Sequence, residues 1–160
     1  MNNFRKQKGA SLVEVLISVL IISLALIPAF YGAVSAHTIA SSIRFNLTAS
    51  YLAQEGIEVV RAIRDANGFA GRPFNSGLGN GDWQAQYASL NLKPYADTYM
   101  FFYEPSGFYN HTSGLNSPFK RKITLENISS VQIKITSQVT WEERGRTRDV
   151  TIESHIFDWQ

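Results

Sequence analysis

The sequence contains no cysteine, which excludes a disulfide framework and any thiolate metal site. It has no charged residue over positions 15–36, so that stretch is apolar enough to sit in a lipid bilayer. No acid precedes Gly9, whereas Arg5, Lys6 and Lys8 do. Those three cations account for the formal charge of +2: of 15 Lys+Arg, the remaining 12 stand against 13 Asp+Glu, a net of −1. A chain near neutrality beyond its first residues offers no general electrostatic footprint for nucleic acid. His37, His111 and His155 share no metal-ligand spacing and pair with no nucleophile, so they read as surface or boundary residues. No metal, cofactor or catalytic residue is expected. The segment NSGLGNGD (75–82) lacks the Lys-Ser or Lys-Thr that closes a phosphate-binding loop and follows no strand, which sets nucleotide binding aside.

What is present falls into two parts. At 160 residues, 44% hydrophobic, 18% charged and with a mean hydropathy of −0.12, the chain has room for one ordered domain plus a segment with another task. Residues 12–30 form an apolar run of 19, about 28 Å long as a helix and close to a bilayer's hydrocarbon thickness. Cations flank it on the N-terminal side, and the next one is Arg44. That asymmetry predicts a single pass with the N-terminus inside and the remainder outside. A cleaved signal peptide, ending near Ala33 or Ala36, is a competing reading, although its apolar core would be only about 7–15 residues. A plain membrane anchor is another. Neither accounts for Glu14, because a carboxylate at the edge of a membrane helix costs a few kcal/mol and marks a function or a partner.

Lys8-Gly9 followed by Ala10-Ser11-Leu12-Val13-Glu14 and a long aliphatic run resembles the N-terminus of type IV prepilins, the family of pilins and type II secretion pseudopilins. The resemblance covers about the first quarter of the chain. It implies a leader (1–9) that a membrane aspartyl peptidase cuts after Gly9, with methylation of the new N-terminus at Ala10. It implies an acid as fifth mature residue, Glu14, and a helix-kinking proline, Pro28. Two departures point to a minor pilin or pseudopilin: Ala10 stands where most major pilins have Phe or Met, and Pro28 falls slightly early. The implied partners are other pilin or pseudopilin subunits, the peptidase, an inner-membrane assembly platform, and lipid before assembly.

Beyond Ala36 the pattern turns amphipathic. Ile39, Ile43 and Leu47 are spaced by four, and Phe45, Ala49, Leu52, Gly56, Val59, Val60 and Ile63 mark a second stripe. Residues 10–36 and 37–67 therefore read as the apolar and amphipathic halves of one helix, bent near Pro28 and stopped by Asp65-Ala66-Asn67-Gly68 with Gly68 left-handed. Residues 68–96 read as a Gly-rich connecting loop, and 97–160 as an antiparallel sheet. Within it, 97–105 and 120–127 are strands. Val131, Ile133, Ile135, Val139 and Trp141 alternate with polar residues, and the chain turns at 143–146 and returns through Val150, Ile152 and Ile156. The expected fold is α+β, a long helix laid on a small antiparallel sheet, which is also the architecture that the resemblance implies.

Two short basic groups remain: Lys120, Arg121 and Lys122, then Arg144, Arg146 and Arg148. With Glu142, Glu143 and Asp149 nearby they read as solvated strand and hairpin positions; the sharper alternative is a DNA-binding tip, as in the pilins of uptake machines. The aromatics of 97–105 read as sheet packing ahead of a carbohydrate platform. Glycosylation triplets begin at Asn46, Asn110 and Asn127. The expectation is a non-enzymatic, membrane-anchored filament subunit; the rival is a single-pass exported enzyme or binding module.

Overall fold

Ser11 starts the first helix. Its Oγ accepts the Val13 N–H at 3.3 Å, and its carbonyl accepts the Val15 N–H at 3.1 Å, so a donor that helix geometry would orphan is capped. From there α1 runs over Leu12–Phe69, 58 residues that include Pro28. The computed structural model describes residues 11–158; the leader, Gly9 and Ala10 lie outside them. The chain divides into two units, Met1–Ile43 and Arg44–Gln160.

The helix ends two residues later than the sequence suggested, and Gly71, not Gly68, is the left-handed residue (φ 63°). The Arg72 N–H reaches the Asn67 carbonyl at 2.9 Å and the Gly71 N–H reaches that of Gly68 at 3.0 Å. This paired 6→1 and 5→2 closure satisfies the last carbonyls and needs a residue free of a Cβ penalty at Gly71. Asn67 is buried inside the final turns, where its Nδ2 donates to the carbonyls of Phe74 (3.3 Å) and Ser76 (2.8 Å). The loop after the helix is thereby tied to it.

Five strands form the main antiparallel sheet in the order β2-β1-β6-β7-β8: β1 Gly81–Gln84, β2 Lys93–Pro94, β6 Lys120–Ser129, β7 Gln132–Glu143 and β8 Arg146–Phe157. A second sheet has the order β4-β3-β5, with β3 Phe101–Tyr103, β4 Phe108–Asn110 and β5 Leu115–Asn116. The fold is α+β and pilin-like. Two expectations need correction. The Gly-rich stretch is not all loop, because β1 finds β6 through Gly81↔Leu125 and Trp83↔Ile123, reinforced by the Thr124 hydroxyl donating to Asp82 at 2.6 Å. Ladder pairing overrides local breakers there. The aromatic strand shortens to Phe101–Tyr103 and belongs to the small sheet.

Along β7, Ile133, Ile135, Ser137, Val139 and Trp141 alternate inward, as period two demands, whereas Val131 is exposed before the strand begins. The buried helical stripe from Ala49 to Ile63 faces this row together with Ile123, Leu125 and Ile156. Gly56 allows the closest approach: a Cβ there would stand 2.5 Å from Ser137 Oγ, 3.3 Å from Arg121 Cδ and 3.4 Å from Ile123 Cγ1. The β7–β8 hairpin closes through Arg144 (φ 55°) and Gly145 (φ 72°), the two positive values that match the twist of the flanking strands.

Candidate functional site

Apolar side chains cover residues 12–34 on every side, and none is buried: Leu12 and Phe30 are each 77% exposed. This part of α1 is long and apolar enough to cross a membrane, and as such it is compatible with a single-pass anchor. Its two serine hydroxyls are silent in apolar surroundings, since Ser18 Oγ donates to the Glu14 carbonyl (2.7 Å) and Ser23 Oγ to that of Val19 (2.8 Å). Pro28 lies within the continuous helix. Having no N–H, it leaves the Leu24 carbonyl without its helical donor, the chemical condition for a bend.

Glu14 is exposed in the first turn of α1. With Ser11 it forms the Ser-x-x-Glu spacing of a capping box, a helix-start signal that sequence reading passed over. An acid at a helix N-terminus gains about 0.3–1 kcal/mol from the helix dipole. That is smaller than the several kcal/mol an uncompensated carboxylate loses in an apolar medium, so the cap alone does not explain an acid beside an apolar run.

The two basic groups fare differently. Arg121 is fully buried: its guanidinium donates to the carbonyls of Leu52 (2.9 Å) and Ala85 (2.6 Å) and to Glu55 Oε1 (2.8 Å). Burial pushes its pKa down while the Glu55 carboxylate opposes the shift; a guanidinium stays charged regardless. As a nucleic-acid contact Arg121 is therefore a misreading, because alternation places it on the inner face of β6. Lys120 and Lys122 point outward and meet acids, Asp97 at 3.2 Å and Asp82 at 3.8 Å. Arg144, Arg146 and Arg148 are exposed at the β7–β8 hairpin, with Arg148 Nε 3.9 Å from Glu143.

Of the histidines, His37 is exposed on α1 and His155 Nδ1 meets Gln132 Nε2 at 3.0 Å. His111 differs. Neither of its ring nitrogens reaches a partner among the described residues, and both are screened from solvent. Burial, then the charges of Arg121 and Lys93, hold its pKa below 6.5, with the Ala85 backbone opposing. It lines a cleft of about 720 Å³ between the small sheet and β7, which no sequence pattern announced.

Residues 4–30 match a family model described as the prokaryotic N-terminal methylation motif. No curated protein and no solved structure matches the chain. The N-terminus is thus type IV prepilin-like, with a long apolar helix behind it, and such a motif belongs to structural, pilin-type proteins.

Proposed function

We propose that the protein is a subunit of a type IV pilus-like or pseudopilus filament, a minor one, inserted in the cytoplasmic membrane as a prepilin with its N-terminus inside. The reading rests above all on one observation: the methylation motif occupies residues 4–30, and the apolar helix within it is entirely uncovered. An apolar surface of that extent needs lipid or other helices around it. Before assembly lipid serves; afterwards the helices of neighbouring subunits do.

In this proposal the peptidase cuts after Gly9 and exposes the amino group of Ala10, which carries positive charge at neutral pH because its solution pKa is about 7.7–8.0. Ala10 is also the methylation position. Within one helix the amino group and Glu14 are poorly placed to pair. Between helices staggered along a filament, Glu14 of an incoming subunit reaches Ala10 of the one already seated. Apolar packing tolerates sliding, whereas a misregistered carboxylate is left uncompensated, so the pair sets register.

Intact mass of the protein, produced in a host that has the peptidase, tests the first step. We expect a chain beginning at Ala10, with or without one methyl group. A chain retaining Met1 would instead fit the anchored enzyme or binding module, and one beginning near Ala36 a secreted protein.

A further inference from the structure

The cleft beside β3 and β5 lies wholly within the unit Arg44–Gln160 and plays no part in anchoring or assembly as proposed. Its volume, about 720 Å³, falls in the range of small-molecule sites, roughly 300–1,000 Å³. Two aromatic residues, Tyr99 and Phe101, line it together with hydrogen-bonding side chains from separate segments: Asp97 and Thr98 before β3, Asn116 in β5 and Glu142 in β7. We propose that this cleft binds a neutral sugar unit of a glycan.

The charges decide the ligand class. Among the described residues no lysine or arginine lines the cleft, and Asp97 and Glu142 do, so a phosphate, sulfate or carboxylate ligand would find no cation there and would meet the Glu142 charge. A cationic ligand would seek an aromatic face beside a carboxylate. That pairing is already taken internally: the Lys120 ammonium lies 4.7 Å from the Tyr99 ring centroid and 3.2 Å from both Asp97 oxygens. Asp97 is thereby neutralised as a charge but not exhausted as an acceptor. Its Oδ1 takes the Tyr95 hydroxyl at 2.8 Å as well as Lys120, while Oδ2 takes Lys120 alone, leaving a lone pair for a ligand hydroxyl. His111 contributes only its ring wall, since both of its nitrogens are screened from solvent; the polar groups open to a ligand are those of Asp97, Thr98, Asn116 and Glu142. A ligand that offers hydroxyls in several directions and an apolar ring face satisfies this set; a purely apolar one would strand the polar groups.

The walls are fixed before any ligand arrives. The Met100 N–H donates to Phe119 O (2.8 Å), and the Ser117 N–H and hydroxyl both reach Met100 O (3.2 and 2.7 Å). These bonds clamp the segment bearing Asp97 and Tyr99 to the one bearing Asn116. Asp97 itself holds a left-handed backbone conformation (φ 48°), one that Asp tolerates better than most residues. Little backbone freedom is left to lose in these segments on binding.

Saturation-transfer NMR on the full chain, held in a zwitterionic detergent that has no sugar headgroup, tests the proposal. The probes are cellotriose, maltotriose and N,N′-diacetylchitobiose as neutral glycans, a sulfated heparin disaccharide as the anion and trilysine as the cation. We expect transfer to at least one neutral glycan and none to the sulfated probe. Phe101→Ala should weaken that binding about three- to tenfold, the worth of one ring contact, with the melting profile retained. Asn116→Ala, on an exposed edge strand, serves if Phe101→Ala fails to fold. The proposal is overturned if no neutral glycan shows transfer, if neither variant weakens it, or if only trilysine binds. None of those outcomes bears on cleavage at Gly9, so the assembly reading is judged separately.

Discussion

A buried arginine is an unusual core residue, and Arg121 shows what makes one tolerable. Removing a guanidinium from water costs several kcal/mol unless its donors are met. Here two backbone carbonyls and one carboxylate meet its two terminal nitrogens, from α1 and from the residue after β1, while the buried Nε has no partner among the described residues. Glu55 is the weaker side of the pair, being a quarter exposed, so solvent partly compensates its charge. We therefore expect Glu55→Leu to cost about 2–4 kcal/mol, at or below the range for breaking a buried pair, and Arg121→Met to cost a similar amount. The double variant should lose at least about 1 kcal/mol less than the sum. Urea titration of all four chains measures the coupling, and strict additivity would mean that the two side chains act independently. His111 adds a pH term. Its folded pKa lies below 6.5, so the folded chain binds fewer protons than the unfolded one, and stability rises with pH in that region. The contribution is complete above about 6.5 and is lost as pH falls through the lower folded value. His111→Asn should make the urea midpoint less sensitive to pH below 6.5. An unchanged pH profile would show that the environment of this ring is not what the geometry implies.

At the scale of elements, α1 was legible because two signals repeat along it: uniform apolarity, then a stripe at three-and-four spacing whose members Ala49, Leu52, Gly56, Val59, Val60 and Ile63 are buried. The other stripe, Ile39, Ile43 and Leu47, is exposed, and periodicity alone could not tell which row meets the sheet. The β7–β8 hairpin was legible for the same reason, since alternation survives in twelve-residue strands. Two- to four-residue strands such as β1 and β2 carry no period to read; pairing defines them, β1 with β6 and β2 with β1. The candidate site divides likewise. The N-terminal motif is local and could be read directly, whereas the cleft joins residues from 97 to 142 that only the fold brings together. Ser137 was silent for another reason, being a polar residue in an apolar row, and its small side chain is what lets Gly56 approach. Gly56→Val tests that contact. A β-branched side chain would gain some helix propensity over glycine, under about 1 kcal/mol, but would press on Ser137, Arg121 and Ile123 at a cost of about 1–3 kcal/mol. Net destabilisation in thermal melts is the expected outcome, and a stabilised variant would show that the helix can lift from the sheet without penalty.

For the whole molecule the decisive fact is where burial begins. Every buried residue of the described chain lies at or beyond Ala49, so the core owes nothing to the apolar half of α1. Fully burying each large aliphatic or aromatic side chain contributes about 1.5–3 kcal/mol, and all of that is available to a chain that starts near His37. By contrast, residues 12–34 present apolar surface that no described residue covers, a liability in water. The two halves should consequently separate in behaviour. A chain of residues 37–160 is expected to be soluble without detergent, to show mixed helix and strand content by far-UV circular dichroism, and to melt cooperatively. The full chain is expected to need detergent or lipid to remain dispersed. Within the full chain, Glu14→Val should leave membrane insertion and cleavage intact, because it removes a charge from a segment already apolar enough to insert. It should reduce recovery in sheared filaments when expressed beside the wild-type machinery, because only assembled neighbours need that charge in register. Equal recovery of Glu14→Val and the wild type would leave hydrophobic packing to set the register, and a molten or aggregated 37–160 chain would break the pairing of helix and sheet on which the separation depends.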